Sequence, residues 1–167
     1  YSGPPLLQYL EEVQIGDKRT ASPFRMPVQW VNRPNLDFRG FSGQILSGQI
    51  KPGDPVRILP SGKTTTLARI VTANGDLEQA EPGQSVTLTL ADEVDCSRGD
   101  VIVAGDNPAE VADQFQARIL WMAEAPMLPG RRYLMKIGAK TVRVTVNSPK
   151  YTIDIHTLGE NPAKTLE

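Results

Sequence analysis

Phe24-Arg25-Met26-Pro27-Val28-Gln29-Trp30 decides the fold, because here the apolar period of the chain drops to two. Met26, Val28 and Trp30 alternate with Arg25, Pro27 and Gln29, the pattern of a strand with one buried face. Asn32-Arg33-Pro34-Asn35 then interrupts as a turn cluster. Phe41 to Ile50 reads as a glycine-punctuated strand that ends in the turn Lys51-Pro52-Gly53-Asp54. Alternation resumes with Val56 and Ile58 up to Pro60-Ser61-Gly62, and Thr65 to Thr72 follows with Leu67, Ile70 and Val71 apolar. Glu81-Pro82-Gly83-Gln84 turns the chain again, and Val86, Leu88 and Leu90 alternate with Thr87 and Thr89. Ser97-Arg98-Gly99-Asp100 leads into the apolar run Val101-Ile102-Val103-Ala104. Six short strands separated by Gly/Pro turns argue for a small closed barrel, since closure hides the edges of so short a sheet.

Upstream of this stretch the period is helical. Pro4 and Pro5 suit a helix start, where no intrahelical donor is needed, and Leu6, Leu7, Leu10 and Val13 recur at helical spacing before Gly16 as a stop. Thr20-Ala21-Ser22-Pro23 reads as a linker. Downstream, Gly105-Asp106-Asn107-Pro108 breaks the pattern and a second β unit begins near Val111. Its expected strands are Phe115 to Met122, Tyr133 to Ile137, Lys140 to Val146 and Tyr151 to Ile155, with Met127-Leu128-Pro129-Gly130 as a loop. This second barrel looks incomplete, because the sequence ends soon after Leu158. The start at Tyr1 and the end at Glu167 suggest a piece of a longer protein.

With 167 residues, 40% hydrophobic and 22% charged, the chain can bury real cores. No apolar run approaches the roughly 20 residues that span a bilayer, and no secretory signal opens the sequence, so no membrane partner is expected. The single cysteine, Cys96, excludes an internal disulfide and makes cytoplasm the default compartment. A net charge of −1 gives nucleic-acid binding no support. Charge is nonetheless uneven. Residues 74–113 carry ten acidic side chains against Arg98 alone, and residues 118–150 carry seven basic ones against Glu124 alone.

Several short motifs read as structure rather than chemistry. Ser61-Gly62-Lys63-Thr64 mimics the end of a phosphate loop, but the earlier glycine would fall at Arg57 and no helix is expected after it. Arg98-Gly99-Asp100 is a turn before the last strand of the first barrel. His156 and Cys96 cannot build a metal cluster by themselves, and Cys96 has no candidate base nearby. Asp92, Glu93 and Asp95 fit no calcium loop. Arg131, Arg132, Lys136, Lys140, Arg143 and Lys150, with Tyr133 and Tyr151, allow an RNA contact or a protein-facing or solvated surface. No catalytic, cofactor-binding or metal-binding residue is assigned.

Two sets of residues resemble known families. Phe24 to Val31, then Gly40, Gly43 and Ser47-Gly48-Gln49-Ile50-Lys51-Pro52-Gly53-Asp54, resemble the second domain of translation-type GTPases, as do Glu81 to Gln84 and Ser97 to Ile102. More narrowly, Val28 to Gly40, Leu59-Pro60-Ser61-Gly62, Ala68-Arg69-Ile70-Val71 and the opening Tyr1 to Leu7 are similar to the GTP-using large subunit of sulfate adenylyltransferase. The resemblance implies an all-β chain with a short N-terminal helix and two consecutive small β-barrels of the translation-GTPase domain 2 and domain 3 type. Residues 1–22 would be helix and linker leaving a GTPase domain, 23–107 the domain-2-like barrel and 108–167 the domain-3-like barrel.

By the same resemblance, the role is that of a non-catalytic module. It would couple GTP hydrolysis to synthesis of adenylylsulfate from ATP and sulfate, in sulfate assimilation. GTP, ATP and Mg would belong to the intact enzyme, and none to this stretch. The phosphate-loop, Asp and Asn-Lys motifs that bind GTP are not complete here. Implied partners are the GTPase domain of the same chain, the small catalytic subunit and, in fused forms, an adenylylsulfate kinase domain. Arg33, Asn35, Asp37 and Arg39 form the candidate docking loop, because they carry the family-specific match on a charged loop of a rigid scaffold. Two alternatives stay open. One is the tRNA-binding barrel pair of a translation-factor GTPase; the other is a free-standing β-barrel binding module.

Overall fold

A computed structural model describes residues 3–13 and 19–165. The chain divides into two compact units, residues 1–109 and 110–167. The first opens with helix α1, Leu6–Glu12, which starts at Pro5 as expected; the Tyr9 amide donates to the Pro5 carbonyl at 3.0 Å. None of its side chains is buried, and Leu6, Leu7 and Leu10 are exposed. The expected stop at Gly16 and the opening pair Tyr1-Ser2 lie outside the described residues.

The barrel of the first unit is built from strands β1 (Arg25–Pro27), β2 (Trp30–Asn32), β3 (Gly40–Gln44), β4 (Pro55–Leu59), β5 (Thr64–Thr72), β6 (Gly75–Leu77), β7 (Ser85–Leu90) and β8 (Val101–Ala104). Their order is β1-β8-β4-β5-β7-β3-β2, with β6 flanking β5 and every pairing antiparallel. The first and last members of that order are one continuous stretch of chain, so the sheet closes on itself. At the crossover the Val28 amide donates to the carbonyl of Asp100, the residue just before β8, and the Gln29 amide donates to the Ser42 carbonyl of β3, each at 2.8 Å. Gly43 sits against this seam, where a Cβ would run into the Pro27 carbonyl oxygen.

Inside lie Met26, Val28, Phe41, Ile58, Leu67, Ile70, Leu88 and Ile102, all essentially inaccessible to solvent. Trp30 departs from the expected buried face: it is 62% exposed, and Val31 packs against the core instead. The cause is the change of partner at Val28-Gln29, which shifts the inward set from a spacing of two to three. A register shift between Leu67 and Arg69 does the same within β5, which is why Leu67 and Ile70 both face inward. Phe41 to Ile50 is not one strand. β3 ends at Gln44, and Ile50 reaches the core through an isolated bridge to Ala80. The hairpin at Ala73-Asn74, which adds β6, has no counterpart among the six expected strands.

In the second unit β9 (Arg132–Ile137) pairs with β10 (Lys140–Thr145), and β11 (Thr152–Ile153) pairs with β12 (Glu160–Asn161). Phe115 to Met122, expected as a strand, has no ladder partner among the described residues and forms no regular element. Apolar alternation alone does not make a strand without a neighbour to satisfy its backbone. The segment instead places Trp121 edge-on to Tyr133, with ring centroids 5.7 Å apart, and the Trp121 indole donates to the Ala125 carbonyl at 2.8 Å. Tyr151 to Ile155 shortens to β11 because the Asp154 carboxylate accepts the His156 and Thr157 amides, each at 2.8 Å, and turns the chain. Those two bonds hold the Asp154 carboxyl below its ordinary pKa.

Candidate docking site

The loop from Arg33 to Arg39 leaves β2 and returns at β3, on a barrel whose closed ladder fixes both ends. Pro34 interrupts it, and Asn35 closes a local turn by accepting the Asp37 amide on its side-chain oxygen at 3.1 Å. Arg33, Asn35 and Asp37 are exposed, and Leu36 at the tip is 86% exposed. Arg39 separates from the other three. It is half-buried, its guanidinium carbon lies 5.5 Å from the centre of the Phe41 ring, and Phe41 is core.

This loop forms one wall of a cleft of about 280 Å³. Asp37, Phe38 and Arg39 line one side, and Thr89 to Val94, leaving β7, line the other. Arg69 also borders it but is committed to Asp76 by two hydrogen bonds, at 2.6 and 3.1 Å, which raise its pKa further. Asp92 is likewise engaged: its carboxylate accepts the Thr65 hydroxyl at 2.8 Å. The Thr89 hydroxyl is different. It is buried at the cleft and has no hydrogen-bond partner. A buried hydroxyl without a partner costs free energy that a bound group could recover. So the cleft offers an apolar wall, a cation held on an aromatic ring, exposed acids and one unmatched polar atom.

The sequence singles out the loop but not the second wall, where Asp92 and Glu93 have no recognisable ligand spacing. Only the outward position of Thr89 in the β7 alternation hinted at it. Of the four loop residues, the structure brings Asp37 and Arg39 to the cleft and leaves Arg33 and Asn35 outside its lining.

Cys96 is buried, and burial is the main cause that pushes its thiol up to about 12; Asp100 adds to this and Arg39 opposes it. Such a thiol is not a nucleophile near neutral pH. Ser61-Gly62-Lys63-Thr64 is the hairpin between β4 and β5, with Gly62 at φ +75° and Lys63 bound to Asp95 at 3.1 Å, so a strand and not a helix follows it. Arg98-Gly99-Asp100 is the turn into β8. His156 is exposed, and no group of three or more metal-ligating side chains occurs among the described residues. No helix among them is long and apolar enough to cross a membrane.

Comparison with known proteins places each unit. Residues 41–103 match the family described as elongation factor Tu domain 2, and residues 114–167 match the GTP-eEF1A C-terminal domain-like family. The chain is 54% identical over 166 residues to sulfate adenylyltransferase subunit 1 of Methylorubrum populi, covering 99% of the chain and 35% of that protein. It is 47% identical over 167 residues to the bifunctional enzyme CysN/CysC of Xylella fastidiosa, covering the whole chain and 27% of that protein. The chain thus spans about a third of the length of the curated relatives it matches. Among solved structures, Sup35 complexed with GDP superposes with a TM-score of 0.79 at 23% identity, covering 99% of this chain and 41% of that one. The translation elongation factor SelB of Methanococcus maripaludis, in its apo form, gives 0.71 at 21% identity over 94% of this chain and 35% of that one. At those identities the likeness establishes the fold, and the fold is the all-β translation-GTPase type.

Proposed function

Because the chain belongs, along its whole length, to the sulfate adenylyltransferase subunit 1 family, we propose that it is a non-catalytic barrel module of a GTP-dependent sulfate adenylyltransferase. The observation that carries this is identity of 54% over 99% of the chain, in a stretch that holds no complete nucleotide-binding motif. In this proposal a GTPase domain of the same polypeptide binds GTP and Mg. The small subunit joins ATP and sulfate to give adenylylsulfate and pyrophosphate. Energy from GTP reaches that uphill step only if contacts differ between nucleotide states. The barrel suits such a contact because its closed ladder and sealed core resist gradual deformation, so a shift in contacts would carry it as one body. The cleft beside Arg33, Asn35, Asp37 and Arg39 is where we place that contact. The cytoplasm, where sulfate is activated with ATP, is the compartment that follows. A fused adenylylsulfate kinase is an optional neighbour, by analogy with the bifunctional relative.

The test is a pull-down of this chain with the small subunit. Arg33→Glu combined with Leu36→Ser alters only exposed side chains and should leave the melting temperature unchanged, because surface changes cost under about 0.5 kcal/mol. Capture of the small subunit should fall about tenfold. Undiminished capture with an intact fold would refute docking at this loop. In a separate calorimetric titration the chain should give no heat with GTP; micromolar binding would overturn the non-catalytic assignment.

A further inference from the structure

The register of the β9–β10 hairpin sorts its side chains into two faces. Tyr133, Met135, Val142 and Val144 share one face and are half-buried. On the other, Arg132 lies opposite Thr145, Leu134 opposite Arg143, and Lys136 opposite Thr141. Arg143 is therefore diagonal to both Arg132 and Lys136, at a Cα separation of roughly 7–8 Å. All three cations are exposed, and Leu134 between them is 74% exposed. The ion pairs among the described residues are Lys63–Asp95 and Arg69–Asp76, so none of the three has an acidic partner there. Like charges on neighbouring cross-strand positions repel and cost stability. An exposed leucine at their centre adds a second local cost. Together they have the anatomy of an interface, an apolar centre within a charged rim.

We propose that this face docks an acidic protein surface, with Leu134 entering an apolar depression and Arg132, Lys136 and Arg143 meeting carboxylates around it. A nucleic acid fits less well. Sequence-tolerant RNA contacts need an aromatic platform beside the cations, and Tyr133 is on the opposite face. Its ring meets Trp121, and its hydroxyl accepts the Leu128 amide at 2.9 Å. A second copy of the chain fits less well too. Of the ten acids in residues 74–113, five are already engaged at home: Asp76 with Arg69, Asp92 with Thr65, Asp95 with Lys63, Glu81 with Gln49 and Asp100 with the Ser97 amide. This surface lies wholly in the second unit and does not depend on the loop 33–39 reading.

Fluorescence anisotropy on the whole chain tests it, with a labelled peptide of glutamates around a central leucine and a labelled oligouridine as probes. Arg132→Gln with Arg143→Gln should weaken peptide binding about tenfold. The same double change relieves repulsion, so its melting temperature should hold or rise, which keeps loss of fold out of the comparison. Leu134→Ser changes no charge and should weaken peptide binding severalfold. The proposal is overturned if oligouridine binds tighter than the peptide, or if Leu134→Ser leaves peptide binding unchanged. It is also overturned if sedimentation shows self-association that the double change abolishes.

Discussion

Thr65 and Thr89 invite the same substitution with opposite consequences. Thr65 is buried and donates to the Asp92 carboxylate at 2.8 Å, while its oxygen accepts the Asp92 amide at 3.3 Å. Thr65→Val leaves a carboxylate and an amide without that partner, a loss of about 1.5–3 kcal/mol for a hydrogen bond to a charged group. Thr89 sits on β7 between Gly40 and Arg69, and its buried hydroxyl has no partner. Thr89→Val keeps the branched shape a strand favours and removes the unmatched group. Leaving a hydroxyl unsatisfied costs roughly 1–3 kcal/mol, so its removal should stabilise the first unit by about 1 kcal/mol after small packing losses. For a unit of 1–109 that corresponds to a melting temperature roughly 4 °C higher. Thermal melts of the two variants beside the parent decide the matter. If Thr89→Val destabilises, its hydroxyl is already satisfied and the cleft has no polar vacancy for a partner. If the two variants shift in the same direction, the bond assignments in this part of the barrel are wrong. Should the signs separate as expected, Thr89→Val should also weaken capture of the small subunit, because the partner would lose the group that answers the hydroxyl.

Two further predictions concern the barrel itself. Gly43→Ala should destabilise by about 1–3 kcal/mol, seen as a lower denaturant midpoint, because its Cβ would press on the Pro27 carbonyl at the closing seam and force backbone to move. The Cys96 thiol, pushed up to about 12 from 9.0 chiefly by burial, makes stability fall with alkali. The unfolded chain ionises first, so the contribution is complete below about pH 9 and is lost as pH rises towards 12, at up to roughly 1.4 kcal/mol per pH unit. Denaturant titrations across that window should show a steeper decline for the parent than for Cys96→Ala; equal slopes would contradict the burial argument.

The barrel was legible wherever period and turn chemistry agreed. Val86, Leu88 and Leu90 alternate in sequence, and Val86 and Leu88 are buried on a strand paired on both sides. What the period could not reveal is where a strand changes partner. Trp30 continues the alternation of Met26 and Val28 in sequence, yet the chain leaves β8 for β3 between them, and the aromatic ring faces outward. Phe115 to Met122 failed for a related reason. Its apolar positions suit a strand, but a strand is a property of two segments, and no second one is paired with it among the described residues.

The candidate site divides along the same line between local and non-local information. A charged, proline-bearing loop with a family-specific sequence is local, so Arg33, Asn35, Asp37 and Arg39 could be picked out together. Their division of labour is non-local. Arg39 lies over Phe41, which stands within the core 2% exposed, and it also reaches the field of Cys96. Removing its guanidinium therefore costs packing as well as charge, on the order of 1 kcal/mol for the cation–π contact. Arg33 has no such tie and sits on the exposed part of the loop. An alanine change that joined the two would confuse fold stability with docking. Separating them resolves it: an effect of Arg33 on assembly at constant melting temperature reports the contact, whereas an effect of Arg39 that tracks the melting temperature reports the scaffold beneath it.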